Sequence, residues 1–254
     1  MKALIWNIRS VRTQQAFQKL INLQKQSKCS IVSLMEPFQN CRHLQKYRRR
    51  LGMETSIANT NGKIWVFLDT GIQWEILMDT EQQITLKLCH QNSGKDFIAT
   101  FVYAKCDERK RKELWDNLYF LASNMESPWM VGGDFNVIVS EDEKLGRLPV
   151  MTEECEDFAF CINSCGLCDV GFRGNPYTWW NGRAAEDRIF KRLDRVVFNI
   201  QYQNIFPQNE VDHLPKRGSD HAPLIISCGE ETLNLIKPFR FLNSGLIMPL
   251  LRSW

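Results

Sequence analysis

Short apolar runs recur along the chain, and each predicts a β-strand. They cover residues 2–7, 30–35, 64–68, 73–77, 83–89, 96–103, 129–133, 189–198 and 223–227. Apolar residues at every third or fourth position predict a helix over 13–23, and further helices are expected over 108–124 and 152–165. Thr152 is the expected N-cap of the last helix, because a threonine oxygen can accept a hydrogen bond from the first turn.

Many short strands with a few helices between them favour two packed sheets flanked by helices, an α+β fold. The rhythm of strands and helices is lost near residue 230. We therefore expect one domain over residues 1–230 and a tail or linker over 231–254.

Polar side chains stand at the ends of these apolar runs or directly beside them. The residues are Asn7, Glu36, Tyr103, Asp134 and Asp220. Strand ends that meet at one edge of a sandwich would bring these distant residues together. We expect the chemistry of the protein at that edge.

The composition permits a polyanionic partner without requiring one. Of the 254 residues, 44% are hydrophobic and 24% are charged, and the net charge of +3 is only mildly basic. No run approaches the roughly 18 apolar residues of a membrane span. The nine cysteines are scattered and odd in number, and charged residues occur throughout the first 20 positions. We therefore expect reduced thiols, no secretory leader and an intracellular protein.

The sequence Gly133-Asp134-Phe135-Asn136 follows one of the apolar runs. Because strand side chains alternate, Asp134 and Asn136 are expected on one face, with Phe135 in the core. The alternative is a turn in which the two polar side chains make local hydrogen bonds, and turn statistics alone favour it.

The sequence Ser219-Asp220-His221 precedes the last apolar run. A histidine titrates near neutral pH and suits proton transfer or the stabilisation of a charged transition state, although a structural histidine is an equal alternative. Asp194 lies between two arginines. It is expected either to form an ion pair or to orient an imidazole, as a carboxylate does in hydrolase triads.

Glu36 ends a fully apolar run. A carboxylate at this position is either a solvated strand end or a metal ligand. Carboxylate oxygens suit Mg²⁺, which keeps several waters and needs few protein ligands. A zinc site among Cys155, Cys161, Cys165 and Cys168 is disfavoured. Their spacing lacks the paired C-x₂-C pattern, and two of them fit the apolar face of the predicted helix.

Taken in order, these motifs resemble the endonuclease/exonuclease/phosphatase superfamily, which has the DNase-I-like fold. The motifs are Trp6-Asn7, Leu34-Met35-Glu36, Val102-Tyr103-Ala104, Gly133-Asp134-Phe135-Asn136, Tyr177-Thr178-Trp179, Arg192-Leu193-Asp194 and Ser219-Asp220-His221. Within the superfamily, the chain is most similar to the apurinic-type endonuclease domain of plant LINE-type non-LTR retrotransposons. That finer likeness lies in segments 63–66, 101–104, 177–181 and 237–241.

The resemblance implies a four-layer α/β/β/α sandwich with two central mixed sheets. It implies a Mg²⁺-dependent phosphodiesterase, with Mn²⁺ as an alternative ion, that nicks DNA and leaves a 3′-hydroxyl. It also implies a monomer that acts in the nucleus. A reverse transcriptase domain in a longer parent polyprotein is the implied partner besides DNA.

The resemblance implies roles for single residues as well. Glu36 would hold the metal with Asn7 beside it, and Asp220 would complete the metal side. Asp134 would align or deprotonate the attacking water.

The remaining residues would handle the phosphate. Asn136 would hold it, and Tyr103 would donate a hydrogen bond to it. His221 would contact the scissile phosphate, oriented by Asp194. Two further residues would make secondary phosphate contacts or position the backbone, and these are Thr178 and Ser219.

The chain departs from the family pattern at three places. Ser10 lies where a glycine is usual, and Lys105-Cys106 stands where many members have Pro-Asn. Lys191 stands where abasic-site enzymes tend to have an aromatic residue, which argues against abasic-site specificity.

Basic side chains are expected to contact the DNA backbone. Lys216 and Arg217 lie just before His221 and are well placed for phosphates. Each candidate could equally be a solvated surface charge. The other candidates are Arg9, Arg12, Arg183, Lys191 and Arg192.

Two other functions stay open. One is a phosphatase or sphingomyelinase-like phosphodiesterase of the same fold, and the other is a catalytically decayed remnant that binds nucleic acid. The complete set of catalytic residues argues against decay, whereas the changes at Ser10 and Cys106 argue for it.

Overall fold

The computed structural model of the protein describes residues 1–91, 94–147 and 153–229. The predicted cap Thr152 and the tail over 231–254 lie outside these residues. In chain order, the elements are β1 (Lys2–Asn7), α1 (Gln14–Ser27), β2 (Ile31–Met35), α2 (Leu44–Leu51), β3 (Thr55–Ala58), β4 (Ile64–Leu68), β5 (Ile72–Asp79), β6 (Gln83–His90), β7 (Lys95–Tyr103), α3 (Glu108–Ala122), β8 (Trp129–Asp134), β9 (Lys144–Leu145), α4 (Glu153–Ser164), β10 (Arg173–Gly174), β11 (Trp179–Trp180), β12 (Phe190–Lys191), β13 (Asp194–Phe198), α5 (Ile200–Ile205), β14 (Gln208–His213) and β15 (Leu224–Gly229).

Two mixed sheets form the centre of the fold. The first has seven strands in the order β10-β14-β15-β1-β2-β4-β3, and the second has five in the order β13-β8-β7-β6-β5. A small third sheet has the order β11-β12-β9. Strands β1 and β2 are parallel, and so are β7 and β8. Each parallel pair therefore ends together at one edge of its sheet.

Apolar side chains from the inner faces of both sheets form the central core. Ile5 and Val66 come from the first sheet, and Leu86 and Phe101 come from the second. All four are fully excluded from water. Because burial of one such side chain contributes about 2 kcal/mol, this core holds the two sheets face to face.

Helices cover the outer faces of both sheets. Leu20 of α1 and Tyr47 of α2 pack with Trp65 over the first sheet. Trp115 of α3 and Phe158 of α4 pack over the second sheet, with their rings stacked at 5.0 Å. The layers are helix, sheet, sheet and helix, which confirms the predicted four-layer α/β/β/α sandwich.

Residues 189–198 do not form one strand, so that prediction was wrong. The run divides into β12 and β13, which belong to different sheets. The hydroxyl oxygen of Thr178 accepts hydrogen bonds from the backbone N–H groups of Leu193 and Asp194, at 3.0 Å each. The Thr178 hydroxyl occupies these two N–H groups, so they are not available for strand pairing. Strand β12 therefore does not continue into β13.

The sequence analysis did not predict two helices, α2 and α5, or five strands, β3, β9, β10, β11 and β14. In α2, the run of arginines over 48–50 hides a short apolar face. Leu44, Tyr47 and Leu51 form that face and are buried against the sheet. Among the described residues, none of the helices is long and apolar enough to cross a membrane.

Gly133 of β8 pairs with Val102 of β7. Its φ is +154°, and a Cβ at this position would lie 2.0 Å from the carbonyl oxygen of Val102. Gly133→Ala would have to push two paired backbones apart. We expect it to lower the free energy of unfolding by about 3 kcal/mol or more, as measured by thermal and urea unfolding.

Gly132→Ala is the matched control. A Cβ there would lie 2.6 Å from Cδ1 of Ile5, the far end of a flexible side chain. We expect a clearly smaller loss of stability for this variant. Equal losses at the two positions would contradict the backbone explanation.

Candidate functional site

Strand ends from both central sheets meet at one edge of the sandwich. Asn7 ends β1 beside Met35 of β2, and Tyr103 ends β7 beside Asp134 of β8. Asp194 begins the antiparallel β13 and also pairs with Asp134. The polar side chains that gather there are Asn7, Glu36, Tyr103, Asp134, Asp194, Asp220 and His221.

Asp134 lies at the buried centre of this edge. Its Oδ2 accepts a hydrogen bond from Nδ2 of Asn7 at 2.8 Å and lies 3.8 Å from Nε2 of His221. Its Oδ1 accepts a hydrogen bond from the backbone N–H of Asn136 at 3.0 Å. One carboxylate therefore joins the two sheets and the loop that carries the histidine.

Asn136 does not continue the strand, so the prediction that it shares a strand face with Asp134 was wrong. Strand β8 ends at Asp134, and Asn136 has a φ of +52°. Its Nδ2 donates to the carbonyl oxygen of Ala104 at 2.7 Å. The local hydrogen bond from the Asn136 N–H to Oδ1 of Asp134 makes an Asx-type turn, the alternative considered for this motif. Phe135 is buried in the core as predicted.

His221 is oriented by Asp194, with 2.9 Å between Nδ1 and Oδ2. Thr178 fixes the backbone of Asp194, since its hydroxyl oxygen accepts that N–H. Ser219 fixes the backbone of His221, because its Oγ accepts the His221 N–H at 3.1 Å and donates to the carbonyl of Asn7 at 2.8 Å. Of the two roles considered for Thr178 and Ser219, these contacts correspond to backbone positioning.

Burial and mutual charge shift the pKa values of Asp134 and His221. Burial raises the pKa of Asp134 to about 7, with His221 opposing the shift and Asp194 adding to it. Burial alone would lower the pKa of His221, but the charges of Asp194 and Asp134 outweigh it and raise the pKa to about 9. Near neutral pH, a carboxylate able to accept a proton therefore stands beside a protonated imidazole.

Glu36 is buried and receives donors on both carboxylate oxygens. The hydroxyl of Tyr103 donates to Oε1. Oε2 accepts Nη1 of Arg9 at 2.6 Å and Nδ2 of Asn7 at 3.4 Å. Burial, together with the hydrogen bond to Glu36, raises the pKa of Tyr103 well above its ordinary value. The phenol therefore remains a donor throughout the neutral range.

Arg9 also reaches Asp220, with 3.4 Å between its Nε and Oδ1. The other oxygen of Asp220 accepts the indole N–H of Trp179 at 3.1 Å. Burial lowers the pKa of Arg9, but the hydrogen bond and charge of Glu36 and the charge of Asp220 outweigh it and raise that pKa. A full cation therefore lies between two carboxylates.

Two groups of side chains could hold a divalent metal ion. Glu36 and Asp220 already share one cation, and carboxylate oxygens are the ligands that Mg²⁺ prefers. Asp134, Asp194 and His221 form the other group, with ligand atoms within 4.8 Å of one another. Nδ1 of His221 is already hydrogen-bonded to Asp194, and Mg²⁺ prefers oxygen to nitrogen ligands. Glu36 and Asp220 therefore fit Mg²⁺ better.

The basic residues proposed for DNA contact lie in different environments. Nζ of Lys216 donates to the carbonyl of Tyr177 at 2.7 Å, and burial lowers its pKa. Arg192 is buried in ion pairs with Glu143 and Asp169, so the prediction that it contacts DNA was wrong. The exposed candidates are Arg9, Arg12, Arg183 and Arg217.

Several contacts at the site were not foreseen from the sequence. Indole groups brace the His221 loop, since Nε1 of Trp6 donates to the carbonyl of His221 at 3.1 Å and Trp179 holds Asp220. The ammonium of Lys63 lies 5.4 Å above the ring of Tyr103. No spacing rule marks such contacts, although both tryptophans are direct chain neighbours of site residues.

Two of the departures from the family pattern border the site. Ser10 has a φ of +145°, a region that L-residues with side chains rarely adopt. Burial, and then the charges of Asp134 and Glu36, raise the pKa of the Cys106 thiol. Ser10, where the family usually has a glycine, and Cys106, where many members have an asparagine, therefore both line this edge.

Comparison with known families gives a match over most of the chain. A sequence model described as the Endonuclease/Exonuclease/phosphatase family matches residues 4–221. That stretch contains every residue of the site described above. A search of curated protein sequences finds no match.

Solved structures share the fold. The endonuclease domain of TRAS1, a telomere-specific non-LTR retrotransposon, is 14% identical with a TM-score of 0.66, covering 89% of this chain and 97% of that one. An AP endonuclease from Archaeoglobus fulgidus is 17% identical with a TM-score of 0.67, covering 90% and 99%. The 3′ phosphatase NExo from Neisseria is 17% identical with a TM-score of 0.67, covering 91% and 100%. At these identities, the likeness shows the fold alone.

Asp194→Asn should lower the pKa of His221. Because the charge of Asp194 holds that pKa at about 9, its loss should shift the pKa down by about one unit or more. An NMR pH titration of the imidazole in metal-free protein measures the shift. Asp187→Asn removes an exposed carboxylate paired with Arg147 and should leave the titration unchanged. An unaltered His221 in Asp194→Asn would contradict the electrostatic coupling.

Ser10→Gly should stabilise the protein. The backbone conformation at this position is rare for a residue with a Cβ, and relief of such strain contributes on the order of 1 kcal/mol. Thermal unfolding is the measurement. Ser123→Gly, at a residue with a φ of −59° after α3, is the control and should bring no gain. A lower melting temperature for Ser10→Gly would contradict the strain.

Proposed function

The chain belongs to the endonuclease/exonuclease/phosphatase family, and we propose that it is a Mg²⁺-dependent phosphodiesterase that nicks DNA and leaves a 3′-hydroxyl. The family supplies the general class, a metal-dependent hydrolase of phosphoesters. The finer assignment, a DNA-nicking endonuclease of retrotransposon origin, is our proposal.

The observation that carries the proposal is the position of Asp134 beside His221. A buried carboxylate with a pKa of about 7 lies 3.8 Å from an imidazole with a pKa of about 9. Around pH 7 to 9, a proton acceptor and a cationic donor therefore coexist at one point. Hydrolysis of a phosphodiester needs both, since a water must lose a proton while negative charge grows on the phosphate.

Each side chain has a task in this reaction. Asp134 accepts the proton of the attacking water, and Asn7 holds that carboxylate in place through its 2.8 Å hydrogen bond. His221 stabilises the charge that develops on the phosphate, with Asp194 fixing its ring. Tyr103 keeps a protonated phenol at the edge of the site.

Glu36 and Asp220 would hold the Mg²⁺ ion, with Mn²⁺ as an alternative. Once bound there, the ion would supply Lewis-acid stabilisation of phosphate oxygens. The two carboxylates are fixed from outside the pair. Tyr103 and Asn7 donate to Glu36, and Trp179 donates to Asp220.

Exposed cations near this edge support a polyanionic substrate. Arg217 precedes the His221 loop, Arg12 follows the Asn7 loop, and Lys63 lies over Tyr103. Such side chains neutralise phosphates along a nucleic-acid backbone and make binding dependent on salt. A substrate with one phosphate would engage fewer of them.

The resemblance to plant LINE-type elements supports the biological setting that we propose. In that setting, the 3′-hydroxyl of the nick would prime DNA synthesis by a reverse transcriptase domain of the parent polyprotein. The enzyme would act as a monomer on nuclear DNA.

Supercoiled plasmid should be converted to open circles in the presence of Mg²⁺ and not in EDTA. His221→Ala should slow nicking by at least about 10²-fold, the usual contribution of a positioned acid or base to the rate. His43→Ala, at a histidine beside the outer helix α2, is the matched control and should nick like the wild type. Direct extension of the nick by a DNA polymerase tests for the 3′-hydroxyl.

The outcomes separate the alternatives. Nicking that survives in His221→Ala would contradict the assigned site. Folded protein that binds DNA without nicking it would favour a decayed remnant. Protein that leaves DNA intact but hydrolyses small phosphoesters would favour a phosphatase or a sphingomyelinase-like phosphodiesterase.

A further inference from the structure

The guanidinium of Arg9 occupies the place where the proposed metal ligands face each other. Its Nη1 lies 2.6 Å from Oε2 of Glu36, and its Nε lies 3.4 Å from Oδ1 of Asp220. The two carboxylates belong to loops 184 residues apart in the chain. Arg9 is therefore the group that holds them as a pair.

We infer that Arg9 is the resident counter-ion of the Glu36–Asp220 pair, and that its guanidinium leaves the pair when a divalent ion is bound there. Arg9 would then present its charge at the open side of the site, toward an anionic phosphate. The inference rests on the proposed function for the place of the ion, and it adds a competition between that ion and a side chain.

The hydrogen bonds of the two carboxylates favour the oxygens that Arg9 contacts as the ligands of the ion. Oε1 of Glu36 is taken by the Tyr103 hydroxyl, and Oδ2 of Asp220 is taken by the indole of Trp179. The oxygens that remain to be shared between the two acids are those that Arg9 contacts. A second cation cannot share these oxygens with the guanidinium without strong repulsion between like charges.

Arg9 has a free path away from the pair. Its side chain is 46% exposed, whereas that of Glu36 is 6% exposed. Its other neighbour is the ring of Phe38, 5.9 Å from the guanidinium carbon and itself exposed. The backbone N–H of Arg9 donates to Oδ1 of Asn7, so the side chain can turn outward while the loop stays in place.

The competition couples two binding events. With the ion absent, the charge of Arg9 is consumed by Glu36 and Asp220. With the ion bound, the same guanidinium is released for a phosphate, and charge-assisted hydrogen bonds to phosphate are strong. By linkage, a bound phosphate must then favour the ion to the same degree.

The first test measures Mn²⁺ binding to the protein alone, by isothermal titration calorimetry without nucleic acid. Arg9→Ala should bind Mn²⁺ about tenfold more tightly than the wild type, because no charge-assisted hydrogen bond has to be broken. Arg9→Lys should fall between them, since an ammonium lacks the fork that reaches both acids. Arg49→Ala removes an equal charge from the exposed surface of α2 and should leave the affinity unchanged.

The second test separates displacement of Arg9 from a simple effect of its charge. Phenylglyoxal modifies accessible guanidinium groups, and mass spectrometry of a digest reports each arginine of the wild type. Mn²⁺ should raise the labelling rate of Arg9 several-fold while the rate at Arg49 stays constant. A labelling rate at Arg9 that Mn²⁺ leaves unchanged would overturn the inference, as would weaker Mn²⁺ binding by Arg9→Ala.

These measurements are independent of the nicking assay. Displacement of Arg9 in a protein that does not nick DNA would uphold the inference and contradict the proposed function. Nicking by a protein in which Arg9 stays in place would support the proposed function and overturn the inference. Equal Mn²⁺ affinity for the wild type and Glu36→Ala would show that the ion binds elsewhere and would also overturn the inference.

Discussion

The whole site depends on one buried carboxylate, that of Asp134. A carboxylate out of contact with water is stable only when its oxygens are hydrogen-bonded or paired with charge. Asn7 meets this need from the first sheet, the Asn136 N–H meets it from the turn after β8, and His221 lies at 3.8 Å. The requirement of one side chain thus sets the positions of three separate segments.

The backbone around this carboxylate shows the cost of that arrangement. Arg9, Ser10, Glu36 and Asn136 all have positive φ, and all lie within three residues after a strand end at this edge. Such conformations are rare for residues with a Cβ and persist only where the surroundings enforce them. Here the surroundings are the two sheets, pressed together by the core, and the hydrogen bonds of Asn7 and Glu36. The loops turn sharply because their side chains must face one point.

Much of this arrangement follows from local patterns in the sequence. Apolar runs that end on Asn7, Tyr103 or Asp134 give both the strands and the polar residues at their ends. The turn at Asn136 was misjudged because the sequence Asp134-Phe135-Asn136 is compatible both with side-chain alternation along a strand and with an Asx-type turn. The break at Leu193 was missed because its cause, the buried hydroxyl of Thr178, is 15 residues away in the chain. Indole donors and bridging ion pairs are likewise set by tertiary packing, which no local pattern encodes.

The charges of the site explain why it should attract a divalent ion and still need Arg9. Four carboxylates meet here, those of Glu36, Asp134, Asp194 and Asp220, and the cations in contact with them are Arg9 and His221. Two negative charges remain when every group is ionised, and one divalent metal ion would neutralise them. Once that ion neutralises the excess, the guanidinium is no longer required between the acids. The same balance makes the site unattractive to a phosphate before the ion is present, because a dianionic excess repels it. The order of binding, ion first and phosphate second, therefore follows from the charges themselves.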